Sequence, residues 1–164
     1  LMTATPINMH VMENYSLNKT GIVIQLHITC MFLPSLITGS LLKKFGHSKV
    51  IYAGVTFYIL TILLSFLEPS FFNYILALVF LGLGWNFLYL SGTGLLVLSY
   101  KEEEKFKAQG FNDILVFSIQ ALASLSAGYM LSITSWKTMN LIALPFLVLI
   151  IFSSIRADLS NDSK

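Results

Sequence analysis

The charges of this chain are spaced in a way that few folds permit. No Asp, Glu, Lys or Arg occurs in 20–42, a run of 23 residues. Further charge-free runs occupy 50–67 (18 residues), 69–100 (32), 114–136 (23) and 138–155 (18). A helix crossing a bilayer core of about 30 Å needs roughly 20 apolar residues. The spacing therefore predicts five membrane-crossing helices, over about 20–42, 50–67, 72–99, 110–133 and 138–155. A barrel does not fit, because membrane strands are about ten residues long and alternate polar with apolar side chains. The runs LIALPFLVLIIF and YILTILLSFL do not alternate. Lipid offers the backbone no water, so continuous helices remain.

Composition narrows the function classes. Hydrophobic types make up 55% of the 164 residues and charged types 11%, against roughly 25% charged in soluble domains. Mean hydropathy is +0.76. A disordered chain, a disulfide scaffold and an ordinary soluble enzyme are excluded. The net charge of +2 leaves no dense basic face for nucleic acid. Cys30 is the single cysteine, so it has neither a disulfide partner nor a second thiol for a metal. No cofactor and no metal site are expected.

Lysine and arginine set the orientation. Alternating spans place Lys43, Lys44, Lys49, Lys101, Lys105, Lys107, Arg156 and Lys164 on one side, and Lys19 and Lys137 on the other. That bias predicts the first group, with the C-terminus and the tail 157–164, in the cytoplasm. Residues 1–19 are mixed in character. They read as the end of a truncated helix and an external loop, and the opening at Leu1 reads as that of a fragment. The helical domain proper is 20–156.

The turn after the first span runs Gly39-Ser40-Leu41-Leu42-Lys43-Lys44-Phe45-Gly46-His47-Ser48-Lys49. It resembles the G-x-L-a-D-r-x-G-r-k loop, motif A, of the major facilitator superfamily. Gly39, Leu41, Lys44 and Gly46 match, and Lys43 stands at the family's acidic position. The segments MTATPINMH, HITCMFLPSLITGSLLKKFGHSK, LGLGWNFLYLSGTGLL and EKFKAQGFNDILVF together resemble the C-terminal half of bacterial major facilitator permeases. The resemblance implies an all-α polytopic bundle, with five helices matching the family's helices 8 to 12 and the end of a sixth at 1–10. It implies an integral protein of the bacterial inner membrane and a secondary transporter of a small molecule, working by alternating access. It also implies a missing N-terminal half as partner, beside the lipid bilayer and the solute.

Polar residues within the spans point the same way, since groups that line a wet path are the ones tolerated there. The first span holds Gln25 and His27, the third Trp85, Asn86, Tyr89 and Thr93, and the fourth Asp113, Gln120 and Ser124. Asn86, Tyr89 and Thr93 share a helix face and read either as a solute-contacting stripe or, for Asn86, as an interhelical hydrogen bond. Asp113, Phe117, Gln120, Ser124 and Gly128 form a second stripe. Gln120 reads as facing the cavity or as pairing helices. Asp113, after Gly110, reads as a capping acid at a helix N-terminus or as a gate latch to Lys43 or Lys44, with the family's signs exchanged. His27 is either a proton acceptor in a coupled cycle or a packed neutral ring. Pro34 and Pro145 predict kinks, and Trp136 an interfacial anchor.

Two other classes remain to be weighed. A non-transporting scaffold or remnant would share the spans. An intramembrane hydrolase would need Ser91 and His27 together, but no G-x-S-x-G elbow occurs and the two are expected at different depths. No Walker loop occurs either.

Overall fold

The computed structural model describes residues 1–162, with side-chain surroundings through Arg156. Lys164 lies outside the described residues. All regular elements among them are helices: α1 (Ala4–Ile7), continued by a π-turn over Asn8–Met12, α2 (Leu17–Phe32), α3 (Ser35–Phe45), α4 (His47–Leu64), α5 (Phe71–Val97), a 3-10 turn at Glu102–Glu104, α6 (Lys105–Ile133), α7 (Trp136–Leu141) and α8 (Leu144–Asp162). Four stretches are long and apolar enough to cross a membrane, and the bent pair α2 and α3 makes a fifth. The bend is 41° and falls at Pro34, where proline withholds an amide and crowds the preceding turn.

The helices outrun the charge-free stretches. Lys43 and Lys44 occupy the last turn of α3, and α6 opens at Lys105. A lysine ends the lipid-soluble part of a helix but suits helical backbone well. Serine caps show where three helices begin: Ser16, Ser70 and Ser135 accept from the amides of Lys19, Asn73 and Thr138. Gly46, at φ 82°, turns the chain between α3 and α4, a torsion that favours glycine.

Helix α5 is the axis of the bundle. A Cβ on Gly82 would fall 2.7 Å from the His27 carbonyl oxygen, so α2 lies against its backbone there. A Cβ on Gly84 would fall 3.0 Å from the Gly54 carbonyl oxygen, which marks the approach of α4. Two residues apart on a helix means nearly opposite sides, so α5 is clasped between α2 and α4. Thr61 Oγ1 adds a hydrogen bond to the Ala77 carbonyl, 3.1 Å. On the far side of α4, Leu147 of α8 joins Ile51, Val55 and Ile62 in one apolar cluster.

The N-terminal segment is bound into the fold by polar ties. Asn8 Nδ2 donates to Tyr74 Oη at 2.6 Å, Trp136 Nε1 to Thr5 Oγ1 at 3.1 Å, and Thr3 Oγ1 lies 2.8 Å from Ser124 Oγ. Trp136 is thus half-buried and braces Tyr74, ring centroids 5.1 Å apart. His47 tucks against Gly94 of α5, which sets the start of α4 beside the end of α5. Lys43, Lys44, Lys49, Lys101, Lys105, Lys107 and Arg156 therefore gather at one end of the bundle. Glu13, Glu68 and Lys137 meet around a small cavity at the other.

Candidate functional site

A cleft of about 350 Å³ opens between α2, α5 and α6, a size within the range of small-molecule sites. His27, Trp85 and Gln120 line it together with Met31, Tyr58 and Leu81. His27 is 2% exposed and its Nδ1–H donates to the Leu78 carbonyl at 2.8 Å. That bond fixes the ring in the cleft wall. Gln120 is exposed on α6, and its side-chain amide adds both donors and an acceptor.

A ladder of rings runs from the cleft toward the lysine-rich end. Phe32 meets Trp85 edge-on, centroids 5.9 Å apart. Trp85 stacks on Tyr89 at 4.7 Å and 10°, and Tyr89 faces Phe117 at 6.5 Å. The outer rungs Phe32 and Phe117 are 59% and 52% exposed. Tyr89 Oη donates to Asp113 Oδ1 at 3.3 Å, and Asn112 Nδ2 reaches the same oxygen at 3.3 Å. Thr93 lies one turn beyond Tyr89 and is half-buried. Trp85 belongs to both the cleft and the ladder.

Asn86 is taken up elsewhere. It is 1% exposed, its Nδ2 donates to the Met31 carbonyl and to Ser35 Oγ, both at 2.7 Å, and its Oδ1 accepts from Thr38 Oγ1 at 2.7 Å. Every partner flanks the Pro34 bend, so Asn86 stitches the broken helix to α5. This is the interhelical bond rather than the solute contact, and it satisfies backbone that a proline bend lays bare. Gln25 is exposed on the opposite side of α2 from His27 and does not line the cleft.

The second stripe is the face that α6 turns to the bundle. Asp113 and Phe117 meet Tyr89, Gln120 lines the cleft, Ser124 meets Thr3, and a Cβ on Gly128 would lie 3.7 Å from Ile7. Asp113 is not a capping acid. Helix α6 begins at Lys105, which puts Asp113 two turns inside it, past the reach of the first-turn amides. Nor does it latch to lysine here. The ion pair between described residues is Lys105–Glu102, 3.2 Å, and Lys44 Nζ sits over Phe45. Gly39 has open space around it, and Gly46 supplies the turn between α3 and α4.

The imagined serine–histidine pair is ruled out by distance. His27 bonds at Leu78, and Ser91 lies thirteen residues further along α5, about 20 Å. No group of three metal-ligating side chains occurs among the described residues.

Comparison with known proteins agrees with this geometry. The family model of the Major Facilitator Superfamily matches residues 1–161. The chain is 34% identical over 151 residues to the riboflavin transporter RfnT of Brucella anthropi, covering 92% of this chain and 38% of that protein. It is 35% identical to two uncharacterized MFS-type transporters of Bacillus subtilis, YdeG and YddS, covering 87% and 86% of this chain and 33% of each of theirs. The chain thus spans about a third of the length of these relatives. No solved structure matches it. With helices long and apolar enough to cross a membrane, the chain belongs to the major facilitator superfamily.

Proposed function

We propose that the chain forms the C-terminal half of a secondary active transporter whose solute is a planar heteroaromatic molecule of the riboflavin class. The observation that carries this is the ring ladder Phe32–Trp85–Tyr89–Phe117 with the Asp113 carboxylate at its foot. Aromatic faces attract flat ring systems by offset stacking, worth about 0.5–1.5 kcal/mol beyond area burial. A carboxylate accepts the N–H or O–H of such a solute. A face bearing Asp113, Asn112 and Tyr89 is too polar for acyl chains and suits a wet cavity shared with a second half. The relative that is a riboflavin transporter supports the same class.

In this reading the lysine-rich end lies in the bacterial cytoplasm, in keeping with the positive-inside bias. Alternating access rocks this half against the other about the ladder. Asp113 and His27 are the groups placed to carry a coupling proton. Gly39, Lys43, Lys44 and Gly46 form the cytoplasmic turn that meets the other half at the inner gate. The test is uptake of riboflavin by the complete gene product in proteoliposomes, with and without a pH gradient. Uptake should saturate, and Trp85→Ala should raise KM by about tenfold, the value of one lost stacking partner. Transport of other solutes with riboflavin ignored would remove the substrate class.

A further inference from the structure

The cavity at the end of the bundle away from the lysines measures about 160 Å³. Three stretches distant in sequence build it: the π-turn and the residue after it, the connection from α4 to α5, and the start of α7. The π-turn brings in the first of them. In an α-helix, residues five apart point about 140° away from each other. Here the Glu13 amide donates to the Asn8 carbonyl at 3.0 Å. That closure spans five residues and sets Glu13 one turn beyond Asn8 on the same side, and such turns occur frequently at functional sites. Both residues line the cavity.

The hydrogen-bond inventory of the walls is one-sided. Asn8 Nδ2 is spent on Tyr74 Oη at 2.6 Å, Asn73 Nδ2 on the Glu68 carbonyl at 2.8 Å, and Trp136 Nε1 on Thr5 Oγ1 at 3.1 Å. Asn8 is only 9% exposed, yet its Oδ1 has no partner among the described residues. The groups left over are mostly acceptors: the two amide oxygens of Asn8 and Asn73 and the carboxylates of Glu13 and Glu68. Against them stand the Tyr74 hydroxyl and the exposed Lys137. Lys137 has no carboxylate within ion-pair distance among the described residues.

Unspent acceptors, two of them charged, match a donor that carries positive charge. The apolar part of the wall matches what that donor is attached to. Tyr74 and Trp136 meet at 61°, and Leu64 and Leu67 add aliphatic surface. Ring faces attract cations, and a cavity of about 150 Å³ holds one benzene molecule. A metal ion is served less well, because no group of three metal-ligating side chains occurs among the described residues.

We infer that this cavity binds one primary ammonium ion on a small apolar body. The N–H groups donate to Glu13, Glu68 and Asn8, and the body lies against Trp136 and Leu67. The same chemistry is offered by a soluble amine and by the ethanolamine headgroup of a phospholipid. The site is separate from the ring ladder and stands whatever solute is carried there.

The test is calorimetric titration of the complete gene product, in detergent at neutral pH, with benzylamine and with its uncharged counterpart benzyl alcohol. Benzylamine should bind saturably and benzyl alcohol should not. Glu68→Gln should weaken benzylamine by about threefold, the worth of one exposed charge pair, and Glu68→Lys should abolish its binding. Lys137→Gln should tighten it by about threefold, a change of opposite sign that a merely structural role would not give. Both positions are exposed, so neither substitution disturbs the core. Displacement of benzylamine by added phosphatidylethanolamine would assign the ammonium to a lipid headgroup, and lack of displacement to a soluble amine. Equal binding of benzylamine and benzyl alcohol would overturn the proposal. So would benzylamine held as tightly after Glu68→Lys as before it.

Discussion

Asn86 shows how one buried amide can be more consequential for the fold than for the solute. Its three hydrogen bonds end on Met31, Ser35 and Thr38, and its removal strands the carbonyl of buried Met31, while Thr38 keeps its bond to the Pro34 carbonyl. Asn86→Leu should lower stability by about 1–3 kcal/mol, read as a lower melting temperature of the detergent-solubilised protein. KM should stay near its starting value in whatever protein still folds. Asp113 is the opposite case. Asp113→Asn keeps an acceptor for Tyr89 Oη but loses the charge, so melting should change little while stimulation of uptake by a pH gradient disappears. In the sequence these two polar residues looked alike, since each sits among apolar neighbours on a predicted span. What separates them is which helix lies opposite, and a single chain's spacing does not encode that. The depth of Asp113 was misjudged for a plainer reason. Lys101 to Gln109 reads as a charged loop, yet Glu, Lys, Ala and Gln are strong helix formers, and α6 starts among them.

The stretches long and apolar enough to cross, four with the bent pair as a fifth, were legible because a lysine in hydrocarbon is costly. The bend at Pro34 was legible for an equally local reason. The clasp around α5 was not. Gly82, Gly84, Gly92 and Gly94 look equivalent in the sequence, but they meet different surroundings. Gly82→Ala drives a Cβ to 2.7 Å from the His27 carbonyl, and backbone does not yield cheaply. It should cost about 1–3 kcal/mol and loosen α2 from α5. Gly92→Ala meets nothing within 4 Å and should leave the melting temperature unchanged or slightly raised, since alanine favours helix. Thermal melts of the two variants side by side separate a contact from a mere small residue.

At the level of the whole molecule, charge asymmetry and helix count were readable early, and the ring ladder was not. Phe32, Trp85, Tyr89 and Phe117 come from three helices and become one row only after folding. Their proposed joint role makes a quantitative forecast. Trp85→Ala and Phe117→Ala should act on KM together by more than either alone, whereas Leu122→Ala, at an exposed apolar position on α6, should leave KM unchanged. Saturable uptake assays on the three variants check it. The clasp of α2 and α4 on α5 also has a mechanical consequence. Helix α6 holds to its neighbours by scattered polar ties and single rings, so the bundle is a stiff core with a looser flank. Drawn out of a membrane by its C-terminus on a cantilever, it should yield α8 and then α6 in separate low-force steps. The last peak, the tallest, should release α4, α5 and α2 as one block.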